Sequence, residues 1–235
     1  MIKEMFVDLL YPRRCPVCDE VMAQGTGLIC GRHKELPYVK VPCCMRCGKE
    51  IENDYQEYCH DCFVHERHFI RGFPVFNYIE PIKSSILSVK YHNKREYCDF
   101  YSREMAKKLM PYMGLLKVDA IIPVPMYSHK KKARGFNQAE VLAKKLGNIL
   151  GIAVYSDILT RGRETTPQKE LDNLERANNI KNAISVNKIP DGMKNVMIVD
   201  DIYTTGATIE ACAKRLISAG VEKVYFTTVC IGKGR

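Results

Sequence analysis

The chain has 235 residues, 46% of them hydrophobic, and 36 Lys and Arg against 27 Asp and Glu give a formal net charge of +9. That length suits one large domain or two unequal ones, and the composition is that of a protein with a buried core. No apolar run approaches the roughly 20 residues of a membrane-spanning helix, so membrane insertion is not expected. The cationic surplus favours anionic partners, either phosphorylated metabolites or nucleic acid.

In chain order, Ile2, Met5, Phe6, Leu9 and Leu10 fall on one face of a short predicted helix. Lys3, Glu4 and Asp8 interrupt this stretch, and it lacks the long apolar core and small-residue cleavage site of a signal peptide. Of the 11 cysteines, 8 lie between positions 15 and 62. Seven of them and His33 form the pairs Cys15–Cys18, Cys30–His33, Cys44–Cys47 and Cys59–Cys62, and adding 29 to each of the first four positions gives the second four. Each C-x-x-C is a tight knuckle that aims two ligands at one ion, and two knuckles close a tetrahedral site. Thiolate and imidazole select zinc over magnesium or calcium. The spacing therefore predicts two zinc sites, Cys15, Cys18, Cys30 and His33, then Cys44, Cys47, Cys59 and Cys62, with metal supplying much of the local folding free energy. Cys43 reads as a free thiol or a rival to Cys44, and Cys98, Cys212 and Cys230 as core thiols. Metal spacing without an export signal places the chain in the cytoplasm.

The composition changes near Phe73, which predicts a ribbon module over 1–72 and an α/β domain over 73–235. Strands are expected at 73–78, 118–124, 196–199 and 224–231, and helices at 81–92, 97–110, 136–150 and 207–219. On the 136–150 helix Val141, Leu142, Leu146, Ile149 and Leu150 are the expected inner face. Strand, helix and strand in under 40 residues make a βαβ unit, so the sheet is at least partly parallel, with its ligand at the carboxyl ends of the strands.

At one such end stands Val196-Met-Ile-Val-Asp-Asp-Ile-Tyr-Thr-Thr-Gly-Ala-Thr208. Two acids leave a buried strand, and a hydroxyl-rich turn runs into a helix N-terminus, an arrangement that suits a phosphate. Asp200 and Asp201 are acceptors for ribose hydroxyls, and Gly206 lets the backbone approach closely. The basic run Ser128-His-Lys-Lys-Lys-Ala-Arg134 suits pyrophosphate or a nucleic-acid backbone, although Lys130 and Lys132 read equally as a solvated face. Arg134 and Asn137 are the better anion-site candidates. The polar stretch 161–169 fits either a mobile flap or a surface loop.

The acid–threonine–glycine motif resembles the signature for phosphoribosyl pyrophosphate (PRPP) of type I phosphoribosyltransferases. With the cysteine knuckles, Ile122-Pro-Val-Pro125, Arg134-Gly-Phe-Asn-Gln138, Thr166-Pro-Gln168, Leu171, Arg176 and Asn179, nearly the whole chain resembles the ComF family of double-zinc-ribbon, phosphoribosyltransferase-like proteins. The one departure is His33 in place of a fourth cysteine. The resemblance implies a type I phosphoribosyltransferase-like parallel sheet flanked by helices. It also implies PRPP or a related phosphorylated ribose bound with magnesium, and a role in DNA uptake during natural transformation. Single-stranded DNA and a competence helicase or other uptake proteins are the implied partners. Asp200 and Asp201 would hold the ribose as the catalytic acids. Thr204, Thr205, Gly206, Ala207 and Thr208 would cradle its 5′-phosphate, and Arg134 would meet the pyrophosphate. An active phosphoribosyltransferase of unknown acceptor and a PRPP-sensing regulator are the alternatives.

Overall fold

The computed structural model describes residues 12–23, 27–33, 35–162 and 184–232. The expected N-terminal helix and the Thr166–Asn179 motif lie outside them. Among the described residues, α1 (His60–Val64) follows the second pair of knuckles and leads into β1 (Arg71–Asn77). Next come α2 (Ile82–Tyr91), α3 (Tyr97–Leu109), a 3-10 turn (Met110–Tyr112) and the short α4 (Met113–Leu116). Then follow β2 (Ala120–Pro123), α5 (Ser128–Arg134) and α6 (Gln138–Leu150). A small antiparallel pair, β3 (Leu159–Arg161) with β4 (Ile184–Val186), precedes β5 (Asn195–Tyr203), α7 (Ala207–Ser218) and β6 (Lys223–Ile231).

The main sheet has the order β1-β6-β5-β2, and every pair in it is parallel. Residues 153–155 add a short bridge outside β2, through Ile121 and Val154. Both faces are covered, which is why these strands are continuous apolar runs. Along β5, Met197 and Val199 face α3 and α6, whereas Val196 and Ile198 face α7. The inner side of α6 differs from the expected one. Ala139, Leu142, Ala143, Leu146 and Gly147 are buried, and Ile149 is exposed. Helix and sheet approach closely there, since a Cβ on Gly147 would overlap Val154. The small residues join the expected Leu142 and Leu146 on the contact face, Val141 and Leu150 pack at its margin, and Ile149 alone of the expected five is exposed.

The two knuckle pairs grip opposite faces of the sheet. Cys15, Val17, Met22 and Leu36 join the core that includes α2, α3 and α6, while Val39, Cys44, Cys47, Cys59, Cys62 and Phe69 join the core beneath α7. Between them the ribbons line the β1 edge. Val39 N–H donates to Val75 O (2.9 Å), Asn77 N–H to Pro37 O (2.7 Å) and Gly72 N–H to Arg46 O (2.7 Å). β1 begins at Arg71, two residues ahead of the expected strand, because β6 pairs its first residues, Arg71 opposite Tyr225 and Gly72 opposite Phe226.

Candidate functional site

The metal ligands come first, because their geometry is set by local turns. The ligand atoms of Cys15, Cys18, Cys30 and His33 all lie within 4.8 Å of one another, and so do those of Cys44, Cys47, Cys59 and Cys62. All these cysteines are free thiols. Zinc–sulfur arms of about 2.3 Å at tetrahedral angles put sulfurs about 3.8 Å apart. The Cys18 and Cys30 sulfurs are separated by 3.8 Å and those of Cys47 and Cys59 by 3.6 Å. His33 Nε2 is buried without a hydrogen-bond partner, a condition that metal at this site would answer. Both sets therefore fit zinc in donor type and spacing. Cys43 lies outside the second set, its backbone bridging to Glu50.

A second site opens at the carboxyl ends of β2 and β5, as a cleft of about 360 Å³. Asp200 and Asp201 form its floor, and Thr204 and Thr208 one side. Tyr127, Lys130, Arg134 and Arg161 also line it. The acids do not end the strand as expected. β5 continues to Tyr203 because β6 still pairs with it there, Asp200 opposite Thr228 and Tyr203 opposite Ile231. Asp200 reaches the cleft partly exposed, and Asp201 is 4% exposed.

The two adjacent acids are not a bare pair of like charges. Lys90, on the last turn of α2, forms an ion pair with Asp201 at 2.9 Å. Burial works to lower the Lys90 pKa, but the charges of Asp201 and Asp200 outweigh it and hold the ammonium above its usual value. Among the described residues Asp200 has no ion-pair partner of its own. Burial, with the Asp201 charge adding to it, pushes its carboxyl up to about 8. Two carboxyl groups thus share one ammonium on the floor, and a divalent cation there would favour the ionised form of Asp200. Neutralising both acids would leave Lys90 without its partner, so the double substitution is not neutral to the fold.

The turn after β5 also departs from expectation in detail. Thr204 and Thr208 line the cleft, whereas Thr205, Gly206 and Ala207 are not part of its lining. Gly206 has φ +79°, caps α7 and lies against Tyr203, whose ring a Cβ would overlap. Its glycine is required by that conformation and contact. Thr205 Oγ1 accepts from Ala207 N–H at 3.4 Å.

Opposite the acids, cations stack on aromatic rings. Arg161 lies 4.1 Å and Lys130 5.2 Å from the Tyr127 ring centre, and Arg134 lies 5.5 Å from that of Tyr91. Arg134 also donates to Gln138 Oε1. The Arg-Gly-Phe-Asn-Gln stretch divides its tasks. Gly135 (φ +82°) ends α5, and Asn137 caps α6, accepting from Ala139 N–H at 3.1 Å and donating to Val124 O at 2.9 Å. Asn137 is therefore committed to joining β2 to α6, and Arg134 is the member free to turn a charge toward the cleft.

Residues 6–63 match the double zinc ribbon domain, and residues 116–235 match the phosphoribosyl transferase domain. Competence protein F of Haemophilus influenzae is 32% identical over 84% of this chain and 87% of its own length. The chain belongs to the ComF family. Two further proteins similar to this ComF-family chain are the DNA utilization protein YhgH of Salmonella typhimurium and competence protein ComFC of Streptococcus pneumoniae. The first is 28% identical over 94% of this chain and 98% of its own length, the second 26% over 76% and 77%. Lys90, Tyr91, Tyr127 and Arg161 are the cleft residues that sequence reasoning did not single out for it. Lys90 carried no local signal, because its contact with Asp201 is a tertiary approach of the last turn of α2. No described helix is long and apolar enough to cross a membrane.

Proposed function

We propose that this ComF-family chain binds PRPP, or a related phosphorylated ribose, with magnesium, and acts on single-stranded DNA during DNA uptake. The observation that carries the reading is the convergence of the acid pair, the threonine turn and the cation–aromatic wall on one cleft. Asp200 and Asp201 would accept from the ribose hydroxyls. Residues 204–208 would receive the 5′-phosphate through Thr204, Thr208 and the α7 N-terminus. Arg134, with Lys130 and Arg161, would meet the pyrophosphate. Magnesium would supply charge neutralisation for the leaving pyrophosphate. In a transfer reaction the bond from the anomeric carbon to pyrophosphate breaks, and the carboxylates face the positive charge that develops on the sugar. The relatives named for competence and DNA utilization support the uptake role. The surplus of cations supports a polyanionic partner, and a competence helicase or another uptake protein is the protein partner in this reading. Two bound zinc ions hold the ribbon module over 1–72 against the domain over 73–235.

Calorimetric titration with PRPP and Mg²⁺ tests the cleft. Saturable binding with one ligand per chain is expected, and absence of heat at millimolar PRPP would remove the reading. Single-stranded DNA titrated with and without PRPP then separates an uptake factor from a PRPP-sensing regulator. Pyrophosphate release with candidate acceptors reports catalysis.

A further inference from the structure

The segment between the second metal site and β1 runs behind the turn of residues 204–208. Arg67 Nη2 donates to Thr205 O at 3.2 Å. His68 N–H donates to Glu210 Oε2 at 2.9 Å, and its ring Nδ1 meets Glu210 Oε1 on the first turn of α7. Phe69 meets Tyr203 edge-on at 6.3 Å and Phe226 at 4.9 Å, while Tyr203 stacks on Phe226 at 5.0 Å. Tyr203 is the ring on which Gly206 rests. Arg67, His68 and Phe69 thus touch the turn at its start, its middle and its exit into α7. They begin five residues after Cys62, and all four ligands of that site are buried in the same core as Phe69 and Tyr203.

We infer that Arg67 and His68 are positioning residues through which the second zinc ribbon holds the 204–208 turn in its ligand-ready shape. Loss of the metal would then loosen a site on the other side of the turn. The physical argument is one of alternatives. The turn protrudes beyond the sheet, and Thr204 and Thr205 are exposed. Few apolar contacts of its own fix its path, and loops of this kind open easily. The outside ties are directional, and the segment that makes them is short. It is anchored at one end by Cys59 and Cys62 and at the other by β1, where Ile70 N–H donates to Val224 O at 2.8 Å. If the knuckle unravels, Arg67 and His68 lose one of two fixed ends. The first ribbon packs against α2 and α3 on the opposite face, so its metal has no comparable route to the turn.

The functional half rests on the phosphate reading above, and the test separates the two. Amide hydrogen exchange is followed over residues 204–212 in the full chain with metal bound, in the same chain after chelation, and in Arg67→Ala, Arg67→Lys and His68→Gln. Expected for Arg67→Ala is at least tenfold faster exchange in that segment, with zinc content unchanged and β6 and residues 12–33 unaffected. Arg67→Lys should recover part of the protection, because a lysine can still reach the Thr205 carbonyl. Chelation should reproduce the same local effect. Exchange of 204–212 that stays at the native rate in Arg67→Ala and in the chelated chain would overturn the inference. A parallel titration with Mg²⁺ and PRPP should show affinity about tenfold weaker in Arg67→Ala. If the native chain binds no PRPP while exchange still responds to Arg67, the phosphate reading fails and the support stands.

Discussion

The two ribbons repeat one sequence pattern and occupy different physical settings. In the first, only Cys15 is buried, and Cys18, Cys30 and His33 are partly exposed; in the second all four ligands are buried. The first ribbon is tied to the α3 side by polar contacts, with Asp19 receiving Lys94 at 3.0 Å and the Tyr97 hydroxyl. The second lies within the apolar core under α7. A cation ties each face to the region of the acids: Lys90 to Asp201 on the first-ribbon face, and Arg67 to Thr205 O behind the turn on the second. A repeat in sequence specifies ligands, and the surface each copy lands on decides whether its metal is a surface clip or part of the core.

The largest effects should come from breaking that asymmetry directly. Cys47→Ser should remove one of two zinc ions and cost on the order of several kcal/mol, since zinc binding in such modules is itself folding free energy. Cys18→Ser should remove the other with a smaller fall in melting temperature. Metal analysis beside thermal melts checks both, and graded chelation of the native chain should release the first ribbon's ion ahead of the second. Equal costs for the two serine variants would show the ribbons to be equivalent after all.

Next in size is the link on the first face. Asp201→Asn leaves the Lys90 ammonium buried and unpaired, a change worth on the order of 3–5 kcal/mol. Urea denaturation measures it, and a cost below about 1 kcal/mol, the level of an exposed pair, would show the ion pair to be solvated.

Asp200 gives a pH-dependent effect of opposite sign. Its folded pKa, about 8, lies above the unfolded value of about 3.9. The folded chain therefore binds more protons between these values, and its stability falls as pH rises through that window. Asp200→Asn should flatten the profile and be the more stable form above pH 8, while differing little near pH 4. Melting curves from pH 4 to 9 in the absence of Mg²⁺ read this out. For the same reason, binding of Mg²⁺ with PRPP should tighten from pH 6 to 8.

The smallest effect concerns nucleic acid. From Phe73 onward 26 basic residues face 16 acidic ones, whereas 10 face 11 before it. The cationic field therefore belongs to the sheet domain, and the ribbons are close to neutral. In single-stranded DNA titrations across salt, Lys130→Ala with Lys132→Ala should reduce the log–log slope by about 0.7 for each phosphate no longer neutralised. Arg14→Ala with Arg32→Ala should leave it unchanged. A larger change from the ribbon pair would move the interface to the ribbons.

Much of this architecture was legible because it rests on short-range pattern. The knuckle spacing named all eight ligands, and apolar runs located all four strands of the main sheet within two residues at their starts. The place of the turn between β5 and α7 was legible because threonines and a glycine between an apolar run and a helical pattern signal a strand-to-helix turn. Lys90 was not, because its role comes from a tertiary approach between α2 and β5 that no local periodicity encodes. Gly206 was located correctly for a different reason, its contact with Tyr203. The α6 face was legible at Leu142 and Leu146 but incomplete, because size was taken for burial: Ile149 is exposed, while close packing on the sheet adds Ala139, Ala143 and Gly147.

The hydrogen bonds from residues 37–46 to β1 have a consequence for how the sheet avoids self-association. β1 is the edge of a parallel sheet, and a bare edge offers unpaired N–H and C=O groups to any passing strand. Here Val39, Pro37 and Arg46 satisfy that edge, and the isolated bridge from Tyr38 to Phe76 lies across it. The ribbons therefore act as a built-in shield against edge-to-edge association. Residues 73–235 expressed alone would expose the Val75–Asn77 edge and the apolar surfaces that both ribbons cover. The two modules are separable in sequence, but the second depends on the first to keep its edge from pairing with another copy.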